Sequence, residues 1–325
     1  MDYLDIAGVP VAQSRLVLGT MTFGDTADRG VAQRMVDASL AAGITSLDTA
    51  NGYAGGVSEE IVGSLLKGRR DRVVLATKAG IYPGDADGAP LLSASALRRS
   101  LEASLRRLDV DEVDIYYLHA PDRSVPLAET IATLGEFVRE GKIRAIGVSN
   151  YAAWQVEEIL AVCDAVGAPR PVLAQQLYNL VARRLEDEYV EFARTRGVGT
   201  IVYNPLAGGL LTGRHSLTDA PGEGRFGTAA VAAMYRDRYW NAEVFAAVER
   251  LAEIAAQAGL SMPELSIRWL LSKPVVSAVL IGGSKVEQVH ANIAAAEAGP
   301  LPEDVMAMCE DAGAALRGAM PAYNR

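Results

Sequence analysis

Short β-branched runs alternate with longer amphipathic segments along the chain, and this alternation most restricts how it can fold. Strand-like runs stand at 16–19, 44–48, 73–77, 113–118, 143–148, 172–175, 200–203 and 276–281. Helical patterns follow at 31–42, 58–66, 94–108, 127–140, 152–166, 186–196 and 286–298, with Ser58-Glu-Glu-Ile reading as a helix start. Near-continuous apolar strands joined by helical crossovers predict a parallel sheet covered on its outer face. Eight such units predict a closed (β/α)8 TIM barrel rather than an open doubly wound sheet. The first glycine turn, Gly19-Thr-Met-Thr-Phe-Gly24, also lacks the spaced three-glycine pattern of the open dinucleotide-binding sheet.

The 325 residues suit one such barrel, and no linker or low-complexity stretch divides them, so a single domain over 1–325 is expected. Segments 3–6 and 11–16 flank Ala7-Gly8-Val9-Pro10 and predict a hairpin capping the barrel bottom. Two loops, 82–90 and 205–239, are long enough to be lids. The C-terminal tail is a candidate to fold back over the mouth. A formal charge of −9 excludes the clustered basic surface that nucleic acid or an anionic membrane would need. Cys163 and Cys309 have no paired spacing, and His119, His215 and His290 form no ligand pattern, so neither a disulfide framework nor a metal site is expected. No basic-then-apolar leader and no membrane-length apolar run is read, which points to a cytoplasmic protein.

Four polar residues stand at or just past the ends of apolar runs. They are Asp48 and Tyr53 in Ser46-Leu-Asp-Thr-Ala-Asn-Gly-Tyr53, Lys78 in Leu75-Ala-Thr-Lys78, and His119 in Ile115-Tyr-Tyr-Leu-His119. A parallel barrel would bring them to one mouth. Tyr53 is then the candidate proton donor to a carbonyl oxygen. Lys78 would depress the phenol pKa from its usual value near 10, and Asp48 would hold Lys78. His119 would orient the substrate oxygen and assist protonation. Each has a bland alternative: a helix cap, a loop aromatic, a solvated lysine, a satisfied interior histidine. Their shared position at successive strand ends favours chemistry.

A hydride must come from a cofactor, since no side chain supplies one. Gly147-Val-Ser149-Asn150 and Gln175-Gln176 end strands with polar groups suited to a carboxamide, and register favours Gln176. Tyr203 offers an aromatic face for nicotinamide. Ile281-Gly-Gly-Ser-Lys285 opens a helix after the last strand, a place where barrels bind phosphate.

These contexts, with Asn204-Pro-Leu-Ala-Gly-Gly-Leu-Leu-Thr-Gly213, resemble the aldo-keto reductase family from Gly19 to the final arginine. Ser149-Asn-Tyr-Ala-Ala-Trp154, Met234-Tyr-Arg-Asp-Arg-Tyr-Trp240, Ala294-Ala-Ala-Glu-Ala-Gly-Pro-Leu301 and Tyr323-Asn-Arg325 resemble its aflatoxin-aldehyde and succinic-semialdehyde reductase branch. The resemblance implies NADPH (bound as NADP+ after reaction) and the tetrad Asp48, Tyr53, Lys78 and His119. It implies Gly19, Thr20 and Met21 beside the cofactor, and Ser149, Asn150 and Gln176 on the carboxamide. Tyr203 would lie under the ring, with Asn204, Pro205, Leu206, Gly208 and Leu211 along the pyrophosphate. Gly283, Ser284, Lys285, Gln288 and Asn292 would surround the adenosine 2′-phosphate and adenine.

Many relatives have arginine where Gln288 stands, which leaves Lys285, Arg214 and Arg225 as cations for the 2′-phosphate. For the substrate, the branch implies a small carbonyl compound, including carboxylated aldehydes met by Arg236 or Arg238 and by Arg325. Met21 and Trp240 are candidates for an apolar wall. A homodimer is implied as well. A keto-sugar reductase and an NADPH-sensing regulatory subunit are alternative uses of the same scaffold.

Overall fold

The computed structural model describes residues 1–219, 221, 223–227 and 231–318. A short antiparallel pair, β1 (Tyr3–Leu4) against β2 (Gln13–Ser14), comes first. Eight parallel strands follow: β3 (Leu16–Gly19), β4 (Ser46–Asp48), β5 (Val74–Ala79), β6 (Val113–Leu118), β7 (Ile143–Ser149), β8 (Leu173–Leu177), β9 (Gly199–Tyr203) and β10 (Val276–Ile281). They pair in chain order, and β10 closes back on β3 from Val279 opposite Leu16 to Ile281 opposite Leu18. Closure leaves this sheet without an edge. The expected (β/α)8 barrel is the observed fold.

The helices are α1 (Arg29–Ala41), α2 (Val57–Leu65), α3 (Ala94–Leu108), α4 (Leu127–Arg139), α5 (Ala153–Val166), α6 (Tyr189–Arg196), α7 (Ala232–Tyr239), α8 (Ala242–Gln257), α9 (Met262–Leu271), α10 (Val286–Glu297) and α11 (Glu303–Ala314). No element is expected over 242–271, where α8 and α9 form. The buried face of α8 includes the small Ala247 and Ala255 among Val244, Phe245, Val248, Leu251 and Ile254, which blurs the apolar period. The expected lid over 205–239 is not a bare loop: it contains short 3₁₀ turns at Ala207–Thr212 and Gly224–Phe226 and the helix α7.

The strand pleat decides what reaches the mouth. Val17, Val74, Ala76, Ile115, Tyr117, Ala145, Leu173, Ile201 and Ala278 pack together inside the barrel. Their neighbours Leu16, Leu18, Leu47, Leu75, Tyr116, Ile146, Ala174, Val202 and Val279 pack outward under the helices. With a period of two, Asp48, Lys78, His119, Ser149, Gln175 and Tyr203 continue the inward rows at the carboxyl ends.

The opposite end is closed by Ile6, Val9 and Val11, which pack on the inner cluster as a bottom cap should. The pairing there is shorter than expected, two residues per strand. Pro10 has no amide to give and the chain turns at Gly8, so only Tyr3–Leu4 and Gln13–Ser14 pair. Among the described residues no helix is long and apolar enough to cross a membrane.

Candidate active site

Lys78 is the hub of the mouth. Its side chain is fully buried, and Nζ donates to Asp48 Oδ1, to the Thr49 carbonyl at 2.8 Å and to the Tyr53 hydroxyl at 3.2 Å. An ammonium has three protons, and all three are engaged. The second Asp48 oxygen accepts from Gln175 Nε2 at 2.8 Å. A carboxylate taken out of water is thereby satisfied on both oxygens, as burial of a charge demands.

Tyr53 reaches the hub through an unusual turn. Residues Ala54, Gly55 and Gly56 take φ of +48°, +65° and +102°. Left-handed backbone at a non-glycine such as Ala54 costs about 1–3 kcal/mol and persists only where the surroundings enforce it. At Gly56 a side chain is also excluded, since a Cβ would stand 2.9 Å from Arg107 Cδ. His119 follows β6; its amide donates to the Ala79 carbonyl at 2.8 Å, and its own carbonyl accepts from Asn150 Nδ2 at 2.8 Å. The imidazole stands edge-on to the Tyr53 ring, 5.9 Å between centroids and 79° between planes.

Burial pushes the Tyr53 phenol above its ordinary pKa, and the opposing pulls of Lys78 and Arg225 do not overcome it, because Asp48 acts with burial. The expected net acidification is therefore absent in the protein alone. The phenol keeps its proton at neutral pH, the state from which a donor starts, while the cation lowers the cost of the phenolate that forms when the proton leaves. Burial also disfavours the charge on Lys78, yet Asp48 and Tyr53 hold its pKa above the usual ammonium value. Burial, with Lys78 beside it, brings His119 down to about 3. Its imidazole is neutral across the working range and can donate a hydrogen bond, which speaks against the expected assistance to protonation.

A polar strip crosses the mouth next to this centre. Asn150, with φ of +64°, accepts from the Tyr203 hydroxyl at 2.5 Å on Oδ1, and its Nδ2 also lies 3.2 Å from Ser149 Oγ. The two glutamines of β8 separate. Gln175 turns inward onto Asp48, whereas Gln176 turns outward, donating to the Tyr151 carbonyl at 2.7 Å. The expected inward residue, Gln176, is thus replaced by its neighbour. Leu173 is already inside, and alternation leaves no other choice.

Residues 15–314 match the family model described as the aldo/keto reductase family. The chain is 40% identical over 306 residues to aflatoxin B1 aldehyde reductase member 2 of Homo sapiens, covering 89% of this chain and 84% of that protein. It is 39% identical over 311 residues to human aldo-keto reductase family 7 member A3, covering 91% and 92%. A probable voltage-gated potassium channel subunit beta of Oryza sativa subsp. japonica is 32% identical over 306 residues, covering 93% of each. The chain belongs to the aldo/keto reductase family. It is an oxidoreductase acting on carbonyl groups, a family that uses a nicotinamide cofactor.

The aldo/keto reductase barrel offers suitable groups for such a cofactor. Arg214, Arg225, Arg238 and Lys285 form no ion pair with an acid among the described residues, although the chain carries a formal charge of −9. Unpaired cations in an acidic protein suit an anionic dinucleotide. Arg225 acts on Tyr53, touches Met21 Sδ at 3.5 Å and lies 5.4 Å from the Tyr235 ring; Arg214 flanks Gly209. Gly208 donates its amide to Asn204 Oδ1 at 2.7 Å, and Asn204 Nδ2 donates to the Tyr239 hydroxyl at 2.9 Å.

Not every expected residue shows a free side chain. Thr20 is fully buried and bonded to the Asp48 carbonyl and Ser58, Gly19 and Pro205 are buried, and Leu211 packs in the core. Asn292 is buried on α10, while Leu206 is half-buried. Gln288 Oε1 accepts from Ser284 N at 2.8 Å and Lys285 N at 3.2 Å, and a Cβ on Gly283 would meet it at 2.5 Å. The two amides that lead into α10, those of Ser284 and Lys285, are thus already taken by the chain itself.

The expected substrate residues also divide. Arg236 donates to the Phe226 carbonyl at 2.5 Å and the Gly227 carbonyl at 3.3 Å, pinning the loop. Arg238 instead lies over the Tyr235 and Tyr239 rings, 5.9 Å from each centroid, and its charge opposes the rise that burial gives the Tyr203 and Tyr239 phenols. Trp240 sits in an aromatic group with His215, Phe226 and Phe245. Met21 is exposed. Arg325 lies outside the described residues.

Proposed function

We propose that this chain reduces a small aldehyde or ketone to the alcohol with NADPH, as one catalytic domain of a cytoplasmic homodimer. The observation that carries the reading is the Lys78 ammonium shared between Asp48 and the Tyr53 hydroxyl. Such a centre does nothing useful for a mere barrel, but it is what carbonyl reduction needs.

The cofactor, when bound, supplies the hydride to the carbonyl carbon. Tyr53 gives its proton to the carbonyl oxygen, and the negative charge left on its phenolate is balanced by Lys78, itself held by Asp48. Gln175 keeps the Asp48 carboxylate aligned. Neutral His119 donates a hydrogen bond that orients the oxygen. Ser149, Asn150 and Tyr203 would hold the nicotinamide side, and Arg214, Lys285 and Arg225 the phosphates. Gln288 would have to turn aside for a phosphate to reach the Ser284 and Lys285 amides. Arg238, with Arg325 from the tail, would receive a substrate carboxylate. The human relative named as an aflatoxin B1 aldehyde reductase supports an aldehyde as substrate by its name.

The test is a carbonyl panel assayed with NADPH and NADH side by side. Carboxylated and neutral aldehydes should both turn over, the former at lower KM, and NADPH should be preferred. Activity confined to a nucleotide-linked keto-sugar would move the reading to a sugar reductase. Cofactor binding without turnover of any carbonyl would refute it in favour of a cofactor-sensing regulatory subunit; the rice relative is named as a probable channel subunit beta.

A further inference from the structure

Tyr53 and Lys78 come from different elements, the turn after β4 and the end of β5, so their 3.2 Å spacing depends on how that turn is seated. A second group of charges ties the two elements together from behind. Glu59, in the first turn of α2, is fully buried. Its Oε1 accepts from Thr77 Oγ1 at 2.5 Å and its Oε2 from Arg107 Nε at 2.7 Å. Arg107, on α3, also forks onto Asp85, Nη1 to Oδ1 at 3.1 Å and Nη2 to Oδ2 at 2.8 Å. Asp85 Oδ2 in turn accepts from Asn51 Nδ2 at 3.1 Å.

Thr77 immediately precedes Lys78, and Asn51 lies two residues before Tyr53. The path therefore begins beside the cation and ends beside the phenol, with one guanidinium at its centre. That guanidinium also lies under Gly56, the last residue of the left-handed turn. Stability alone gives little reason to bury these charges, since an apolar filling of the same space is often as good. A planar, five-donor group is, however, suited to fixing three separate segments at once.

We propose that Arg107, acting through Asp85 and Glu59, is a positioning residue that sets the distance between the Tyr53 hydroxyl and the Lys78 ammonium. This rests on Tyr53 being the proton donor. Without the bracket the strained turn has less to oppose its relaxation, and the hydroxyl drifts from the cation. A displacement of about 1 Å at a reacting group can cost on the order of a hundredfold in rate.

The test uses Asp85→Asn, which loosens the loop end while leaving the Arg107–Glu59 pair intact, and Arg107→Lys, which keeps the charge but not the fork. Each is measured for single-turnover cofactor oxidation at saturating aldehyde, for cofactor Kd, for Tm, and for titration of the Tyr53 ζ-carbon resonance assigned with Tyr53→Phe. Asp85→Asn should slow turnover by about 10- to 100-fold at unchanged Kd, and Tyr53 should titrate at higher pH than in the native protein. Arg107→Lys should fall between the two. A lower Tm with wild-type turnover per folded molecule and an unmoved Tyr53 titration would overturn the proposal. If the native protein reduces no carbonyl, the proton-donor reading fails, and the Tyr53 titration still decides whether Arg107 sets the spacing.

Discussion

Removing the cation at the centre should separate stability from catalysis. Lys78→Met deletes the ammonium that serves Asp48, Thr49 and Tyr53 and leaves the Asp48 carboxylate buried with Gln175 as its remaining side-chain partner among the described residues. Breaking a buried pair from one side costs about 3–5 kcal/mol. The hydrogen bond from a charged group to Tyr53 contributes about 1.5–3 kcal/mol, so its loss should slow the proton-dependent step by roughly 10- to 150-fold. Asp48→Asn combined with Lys78→Met removes both charges. Because the stranded carboxylate is gone, most of the lost stability should return, while the rate should stay low. Urea denaturation measures the first quantity and single-turnover cofactor oxidation the second. The reasoning is refuted if the double variant is no more stable than Lys78→Met, or if either variant reduces aldehydes at the native rate.

Three further outcomes follow from the site. Reduction should be independent of pH from roughly 5 to 9, because His119 titrates near 3 and Tyr53 above the ordinary phenol value. The rate should fall only on the alkaline side as Tyr53 loses its proton; a step near neutral pH in kcat/KM would mean that His119 acts as the acid. Gln175→Leu should lower kcat by about tenfold by freeing one Asp48 oxygen, whereas Gln176→Leu should leave kcat near native; the reverse order in steady-state assays would restore Gln176 to the mouth. Gln288→Arg should open the start of α10 and tighten NADPH over NADH by roughly tenfold, as read by calorimetric titration, and an unchanged ratio would place the 2′-phosphate elsewhere.

The barrel is legible in the sequence because each strand is a compact apolar run. The tetrad is legible because each member follows such a run closely, Lys78 inside β5 and His119 one residue past β6. What escapes has physical reasons. Gln175 and Gln176 are chemically identical neighbours, and only the pleat, set by Leu173 packing inside, tells which faces Asp48. Arg107 belongs to an amphipathic helix on which any basic residue reads as solvated surface. Its partners Glu59 and Asp85 lie 48 and 22 residues away, beyond any local pattern. The sign of the Tyr53 shift is equally hidden, since it is a balance between burial and Lys78 that depends on coordinates. Arg236 and Arg238 look alike in the motif, and helix geometry alone sends one to the Phe226 carbonyl and the other over the Tyr235 and Tyr239 rings.

The most direct test is Tyr53→Phe, followed by single-turnover reduction and by cofactor titration on the same preparation. Loss of reduction by about 10²–10⁴-fold at essentially unchanged cofactor affinity is the expected result. Reduction within a few-fold of native would mean that the proton reaches the carbonyl from another group.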